Sequence, residues 1–153
     1  MPAIESVTHS AEETIELGRE LARRLTPPVL VLLSGELGSG KTTLTKGIIS
    51  GLGAAREEDV TSPTFTLVHV FRNSATGVKV YHIDLYRIGD AHDLATLGLE
   101  DVFAEPAVVL VEWPDRLRLR SDWPVVRIRL EHSPQQETGD QRRIEITGDE
   151  RSS

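Results

Sequence analysis

Residues 29–43 read Val-Leu-Val-Leu-Leu-Ser-Gly-Glu-Leu-Gly-Ser-Gly-Lys-Thr-Thr. Five consecutive apolar residues, Val29 to Leu33, have the length of a β-strand and no polar alternation. A strand covered on both faces of a sheet has that composition. The next eight residues, Gly35 to Thr42, fit G-x-x-x-x-G-K-[ST]. Glycines at 35, 38 and 40 tolerate backbone angles that a Cβ opposes, so the chain can curl with several N–H groups aimed inward at an anion. Thr42 to Ser50 then reads as a helix with Leu44, Ile48 and Ile49 facing inward, ended by Gly51 and Gly53. The positive end of that helix adds to the anion site. Lys41 can place a charge between β- and γ-phosphates, and the Thr42 hydroxyl can ligate Mg²⁺. The expected phosphate cradle is therefore Gly35, Glu36, Leu37, Gly38, Ser39, Gly40, Lys41, Thr42 and Thr43.

The flanking segments repeat this helix–strand order. Ser10 followed by Glu13 forms a capping-box pattern opening a helix to Leu25, whose apolar face is Ile15, Leu17, Leu21, Ala22 and Leu25. Pro27 and Pro28 stop it. Residues 54–64 read as a loop. Thr66–Phe71 and Val78–Leu85 read as strands joined by a turn at Asn73–Gly77. A helix over Ala91–Phe103, broken near Gly98, precedes a second apolar strand, Ala107–Val111. Val125–Leu130 and Arg142–Thr147 alternate and predict a one-sided edge hairpin. The expected fold is a single α/β domain over residues 1–147, three layers of P-loop NTPase type around a mixed central sheet, with a flexible tail over 148–153.

A phosphate site of this kind needs an acid at the end of a neighbouring strand. Glu112 closes the run VVLVE, and Asp84 follows Val80, Tyr81, His82 and Ile83. Both fall at carboxyl ends of strands, where open α/β sheets bind ligands. Either can hold Mg²⁺ while the other orients the attacking water. In TSPTF, Thr61 to Phe65, the hydroxyls of Thr61, Ser62 and Thr64 around Pro63 can bond a γ-phosphate or water on the metal. Trp113 reads as core packing or as a base-stacking platform. His82, on the same strand face as Asp84, reads as a sheet-supporting histidine. Arg116, Arg118 and Arg120 form a local positive cluster, read as a solvated face or a contact for an acidic partner or for phosphates.

Composition narrows the classes. The chain has 153 residues, Lys+Arg 17 and Asp+Glu 24, for a net charge of -7. That balance opposes a broad basic face for nucleic acid. The absence of cysteine removes disulfides, thiolate metal sites and a cysteine nucleophile. The opening residues carry acids early and lack an apolar run of signal-peptide length. No segment has the apolar length of a membrane span, so a cytoplasmic setting with no membrane contact is expected.

The motifs GELGSGKTT (Gly35–Thr43), TSPTF (Thr61–Phe65), YHIDLYRI (Tyr81–Ile88), LGLED (Leu97–Asp101) and VEWPDR (Val111–Arg116) occur in one order. In that combination the chain resembles the bacterial ATPase subunits of tRNA threonylcarbamoyladenosine biosynthesis, the TsaE (YjeE) family, over about residues 5 to 147. The resemblance implies a P-loop fold that binds ATP with Mg²⁺ and hydrolyses it slowly. It implies a complex with TsaB and TsaD, in which TsaD modifies adenosine 37 of tRNA; the acidic balance of the chain fits an approach to tRNA only through those partners. It also implies that Lys41 binds phosphate, that Thr42 and Glu112 are the Mg²⁺ pair, and that Asp84 is needed for hydrolysis. It makes Thr61 to Thr64 a nucleotide-sensing loop and places Ser10 near the adenine. Two other readings of the residues stand beside it: a small-molecule kinase and a non-catalytic nucleotide-binding module.

Overall fold

The computed structural model describes residues 3–36, 39–60, 68–85, 99–114, 122–132 and 141–149. The elements are β1 (Ile4–Thr8), α1 (Ala11–Ala22), β2 (Val29–Gly35), α2 (Lys41–Gly51), a 3₁₀ turn (Glu57–Asp59), β3 (Val68–Arg72), β4 (Lys79–Asp84), α3 (Leu99–Val102), β5 (Val108–Glu112), β6 (Val125–His132) and β7 (Arg142–Asp149). The strands form one seven-stranded sheet in the order β1-β7-β6-β2-β5-β4-β3. β2 is parallel to both β5 and β6, and β4 is parallel to β5. The β3–β4, β6–β7 and β1–β7 pairs are antiparallel. This is the mixed-sheet α/β fold expected from the sequence.

The continuous apolar run of β2 has its cause in this order. Val29, Val31 and Leu33 pack with Leu44, Ile48 and Ile49 of α2 on one face. Leu30 faces the other way, into a cluster with Tyr81, Ile83, Val102, Val109 and Val111, against which Phe103 and Trp123 also pack. Full burial of each large aliphatic side chain contributes roughly 1.5–3 kcal/mol. The 54–64 loop joins the core too, because Val60, after the 3₁₀ turn, is fully buried.

Ser10 caps α1 from an extended conformation, its Oγ accepting from the Glu13 N–H at 3.1 Å. The Glu13 carboxylate reaches back to the His9 N–H at 3.2 Å, one residue earlier than a capping box requires. α1 ends at Ala22, short of Leu25. The N–H groups of Arg23, Arg24 and Leu25 bond three residues back, so the last turn is tightened while Leu25 stays buried. The buried stripe of α1 includes Thr14 and Gly18, which an apolar count passes over.

Gly18 is where α1 meets α2. A Cβ there would lie 2.5 Å from the Leu44 carbonyl oxygen, and one on Gly47 would overlap the Ile15 carbonyl. The two backbones touch, so neither position has room for a methyl group. Gly47→Ala is expected to destabilise the domain by about 3 kcal/mol, as overpacking does. Thermal denaturation should show a fall of roughly 6–12 °C, and an unchanged melting temperature would refute the close crossing.

Two expectations change, and one strand had none. β6 is interior, between β2 and β7, so the β6–β7 pair is not at an edge. Its one-sidedness persists: Val126, Ile128 and Leu130 are buried under the α1–α2 layer while Arg127 and Arg129 are exposed. The edge strands are β3 and β1, and β1 has no apolar alternation to announce it, since Val7 faces out and Ser6 does not. β1 pairs with β7 from Ile4↔Ile146 to Thr8↔Arg142, supported by an ion pair between Arg143 and Glu5 at 2.9 Å. Finally, β7 runs to Asp149, with Gly148 opposite Val126, so chain expected to be tail at 148 and 149 is paired strand. The Asn73–Gly77 turn is as expected: Asn73 Oδ1 accepts from the N–H groups of Ala75 and Thr76. Of the helix expected over 91–103, residues 91–98 lie outside the described residues. No helix among the described residues is long and apolar enough to cross a membrane.

Candidate functional site: a phosphate cradle beside a buried carboxylate

β2 delivers the chain to Gly35 at the carboxyl edge of the sheet, paired with Leu130 of β6. Gly35 has φ +154°, and a Cβ there would lie 2.5 Å from the Leu130 carbonyl oxygen and 2.6 Å from Ser39 Oγ. Gly40, at φ +101°, caps α2 without any side-chain bond. No side chain caps the first turn of α2, and a helix N-terminus of that kind favours an anion. The Ser39 N–H donates to the Glu36 carbonyl at 3.0 Å, closing a tight turn. Ser39 Oγ is buried with no partner among the described residues. Leu37 and Gly38 lie outside them.

Lys41 is only 5% exposed. Its Nζ donates to the carbonyls of Gly35 at 2.6 Å and Glu36 at 3.0 Å, and lies 4.2 Å from the centre of the Trp113 ring. The ammonium is thus kept at the mouth of the loop by backbone oxygens and an aromatic face, both of which tolerate a cation out of bulk water. Trp113 has φ +61°, the one non-glycine with positive φ among the described residues. Such a conformation costs about 1–3 kcal/mol and persists where the surroundings impose it. Here the Trp113 N–H donates to the Leu33 carbonyl at 3.2 Å, turning the chain at the end of β5. The ring packs against the second core cluster and also covers Lys41, so core packing is only half its placement.

The parallel pairing of β2, β5 and β4 aligns their carboxyl ends. Glu112 lies beside Leu33 on one side and Asp84 on the other. Residue parity puts Val80 and Val108 with α2, so His82, Asp84 and Glu112 point to the loop side of the sheet. Glu112 is 3% exposed. Its Oε1 accepts from Thr42 Oγ1 at 3.4 Å, and its Oε2 accepts from His82 Nε2 at 2.5 Å. Asp84 is half-buried. His69, across from His82 in the hairpin, is held below the ordinary imidazole range by burial and then by the neighbouring His82.

Thr42, Glu112 and neighbouring Asp84 offer only oxygen donors, the chemistry that suits Mg²⁺. No group of three or more His, Cys, Asp or Glu among the described residues could hold an ion alone. The oxygen set therefore fits a magnesium ion that keeps most of its shell for water and phosphate.

Ser10 also comes to this end of the sheet. A cleft of about 80 Å³ is lined by Ser10, Ala11, Thr14, Gly40, Thr43 and Arg142. The Ser10 hydroxyl is engaged in capping α1. Arg142 had no local signal, because β7 meets the loop only through the sheet order. Thr61, Ser62, Pro63, Thr64, Tyr86, Arg87, Arg116, Arg118 and Arg120 lie outside the described residues.

The chain matches the family model described as threonylcarbamoyl adenosine biosynthesis protein TsaE over residues 8–144. It is 45% identical over 117 residues to the tRNA threonylcarbamoyladenosine biosynthesis protein TsaE of Streptomyces coelicolor, covering 70% of this chain and 77% of that one. The protein of the same name from Haemophilus influenzae is 41% identical over 88 residues, 58% of this chain and 53% of that one. The one from Treponema pallidum is 36% identical over 111 residues, 72% and 78% of the two chains. Among solved structures, the crystal structure of Bacillus subtilis YdiB matches with a TM-score of 0.65 at 28% identity, over 95% of this chain and 84% of that one. The family match spans the loop, both acids and His82, and with the curated relatives it establishes that the chain belongs to the TsaE family of threonylcarbamoyl adenosine biosynthesis proteins.

Proposed function

We propose that this chain is a slow, magnesium-dependent P-loop ATPase that supports repeated rounds of threonylcarbamoyladenosine modification of tRNA within a complex of TsaB and TsaD type. The observation that carries the reading is the convergence of a buried Lys41 ammonium with a Thr42–Glu112 pair drawn from opposite parts of the chain. The glycine loop and the N-terminus of α2 bind the phosphates. Lys41 exchanges its backbone carbonyls for phosphate oxygens and stabilises the charge that develops as water displaces the γ-phosphoryl group. Thr42 and Glu112 would hold a magnesium ion, which would supply neutralisation of phosphate charge. Asp84, beside Glu112, orients water. The names of the curated relatives support the tRNA role, and the net charge of -7 supports an indirect approach to tRNA through partner proteins.

Reconstitution tests this. Purified chain alone should hydrolyse ATP slowly, and adding the TsaB and TsaD partners should raise the rate. Multiple-turnover tRNA modification should require the chain, with Lys41→Ala as the inactive control. Equal hydrolysis with and without partners would remove the assembly role. Faster phosphorylation of a small metabolite than of water would make the chain a kinase.

A further inference from the structure

We propose that His82 is a positioning residue for Glu112: by gripping one carboxylate oxygen, it aims the other at Thr42 and so sets the affinity of the site for magnesium. This rests on reading Thr42 and Glu112 as the magnesium pair and adds a residue to which that reading assigns no role. His82 is fully buried and Glu112 nearly so. The His82 Nε2 contact to Oε2, at 2.5 Å, is far tighter than the Thr42 contact to Oε1, at 3.4 Å. A carboxylate at the end of a side chain rotates in a broad torsional well. The histidine is therefore the stronger restraint on where Oε1 points.

Register explains how the two meet. His82 is opposite Leu110 and Asp84 is opposite Glu112, so the imidazole reaches diagonally forward by one step of the same face. The ring lies edge-on to that of His69, with the two centroids 6.4 Å apart. Its Nδ1 has no partner among the described residues. Among those residues its polar tie goes to Glu112, the carboxylate that also accepts from Thr42. Hydrogen-bond partners that orient metal ligands typically change metal affinity about 10–100-fold when removed.

The test uses three variants, ADP as the probe, and MgCl₂ titrated at fixed ADP by calorimetry. His82→Leu keeps bulk and loses the donor. His82→Gln can place an amide N–H near the Nε2 position. His82→Asn has the same amide one atom short. The half-saturating magnesium concentration should rise about tenfold or more in the Leu and Asn variants and stay within about threefold of wild type in Gln. ADP affinity in EDTA should hold within about twofold in all three. In the metal-free protein, ¹⁵N shifts should show His82 protonated at Nε2.

Wild-type magnesium dependence in His82→Leu would overturn the proposal, as would a Gln variant no better than Asn, which would mean that packing alone matters. If His82→Leu does not fold, the Asn–Gln contrast decides, because both carry the same amide and only Gln brings it to the Nε2 position. A wild-type protein whose ADP binding ignores magnesium would sink the magnesium reading itself, visible in the wild-type arm before any variant is compared.

Discussion

Lys41→Ala is expected to reduce ATP hydrolysis about 10²–10³-fold, the usual loss when one preorganised charge donor is removed from a site that stabilises a developing anion. Multiple-turnover tRNA modification should fall with it. The ammonium is bonded to the Gly35 and Glu36 carbonyls, and so already sits where the proposed site would take the phosphate chain. Exchanging those carbonyls for phosphate oxygens requires little movement and no new desolvation, because Lys41 is buried before nucleotide arrives. Nucleotide affinity in EDTA should also drop, since the contact does not depend on metal. Stability should change little: alanine removes two charge-assisted bonds, but it also removes the cost of keeping a cation out of water. Single-turnover hydrolysis and calorimetry check both parts. A variant hydrolysing within about threefold of wild type would end the proposed role of the loop.

Glu112→Gln is expected to lower hydrolysis about 100-fold by a separable route. The amide preserves volume at a position 3% exposed, so the fold should hold. What disappears is the negative charge that, with the Thr42 hydroxyl, would retain magnesium. ADP binding in EDTA should therefore be near wild type, while its tightening by magnesium should be lost. That pattern is opposite to Lys41→Ala, where affinity falls without metal as well. Asp84→Asn provides the comparison: Asp84 is beside Glu112 in the ladder but half-exposed, so its loss should slow hydrolysis with a smaller effect on magnesium binding. If Asp84→Asn raised the magnesium requirement more than Glu112→Gln, the roles of the two acids would be exchanged.

Several elements were legible without coordinates. The apolar run at Val29–Leu33, the glycine loop and the α2 face of Leu44, Ile48 and Ile49 are local patterns, and burial of Val29, Leu30, Val31, Leu33, Leu44, Ile48 and Ile49 matches the two apolar ones. The Asn73–Gly77 turn is local as well, closed by Asn73 Oδ1 accepting from the N–H groups of Ala75 and Thr76. β1 was not legible because its inward positions include Ser6 and Thr8, and Thr8 is satisfied by the Thr14 hydroxyl at 2.7 Å rather than by apolar neighbours. The β6–β7 pair showed which residues share a face but not where it sits, since alternation carries no information about which strand lies alongside. Gly18 and Gly47 gave no apolar signal either, yet they set how closely the two helices cross.

From its residues alone, the chain determined an α/β domain with a phosphate loop, because strand burial, glycine conformations and helix periodicity are written in neighbouring residues. Only the tertiary structure decided that Glu112 meets both Thr42 and His82, and that Lys41 lies under Trp113. Those contacts depend on strand order. Backbone hydrogen bonds would accept many orders equally well, and the choice among them comes from burying both faces of β2 at once.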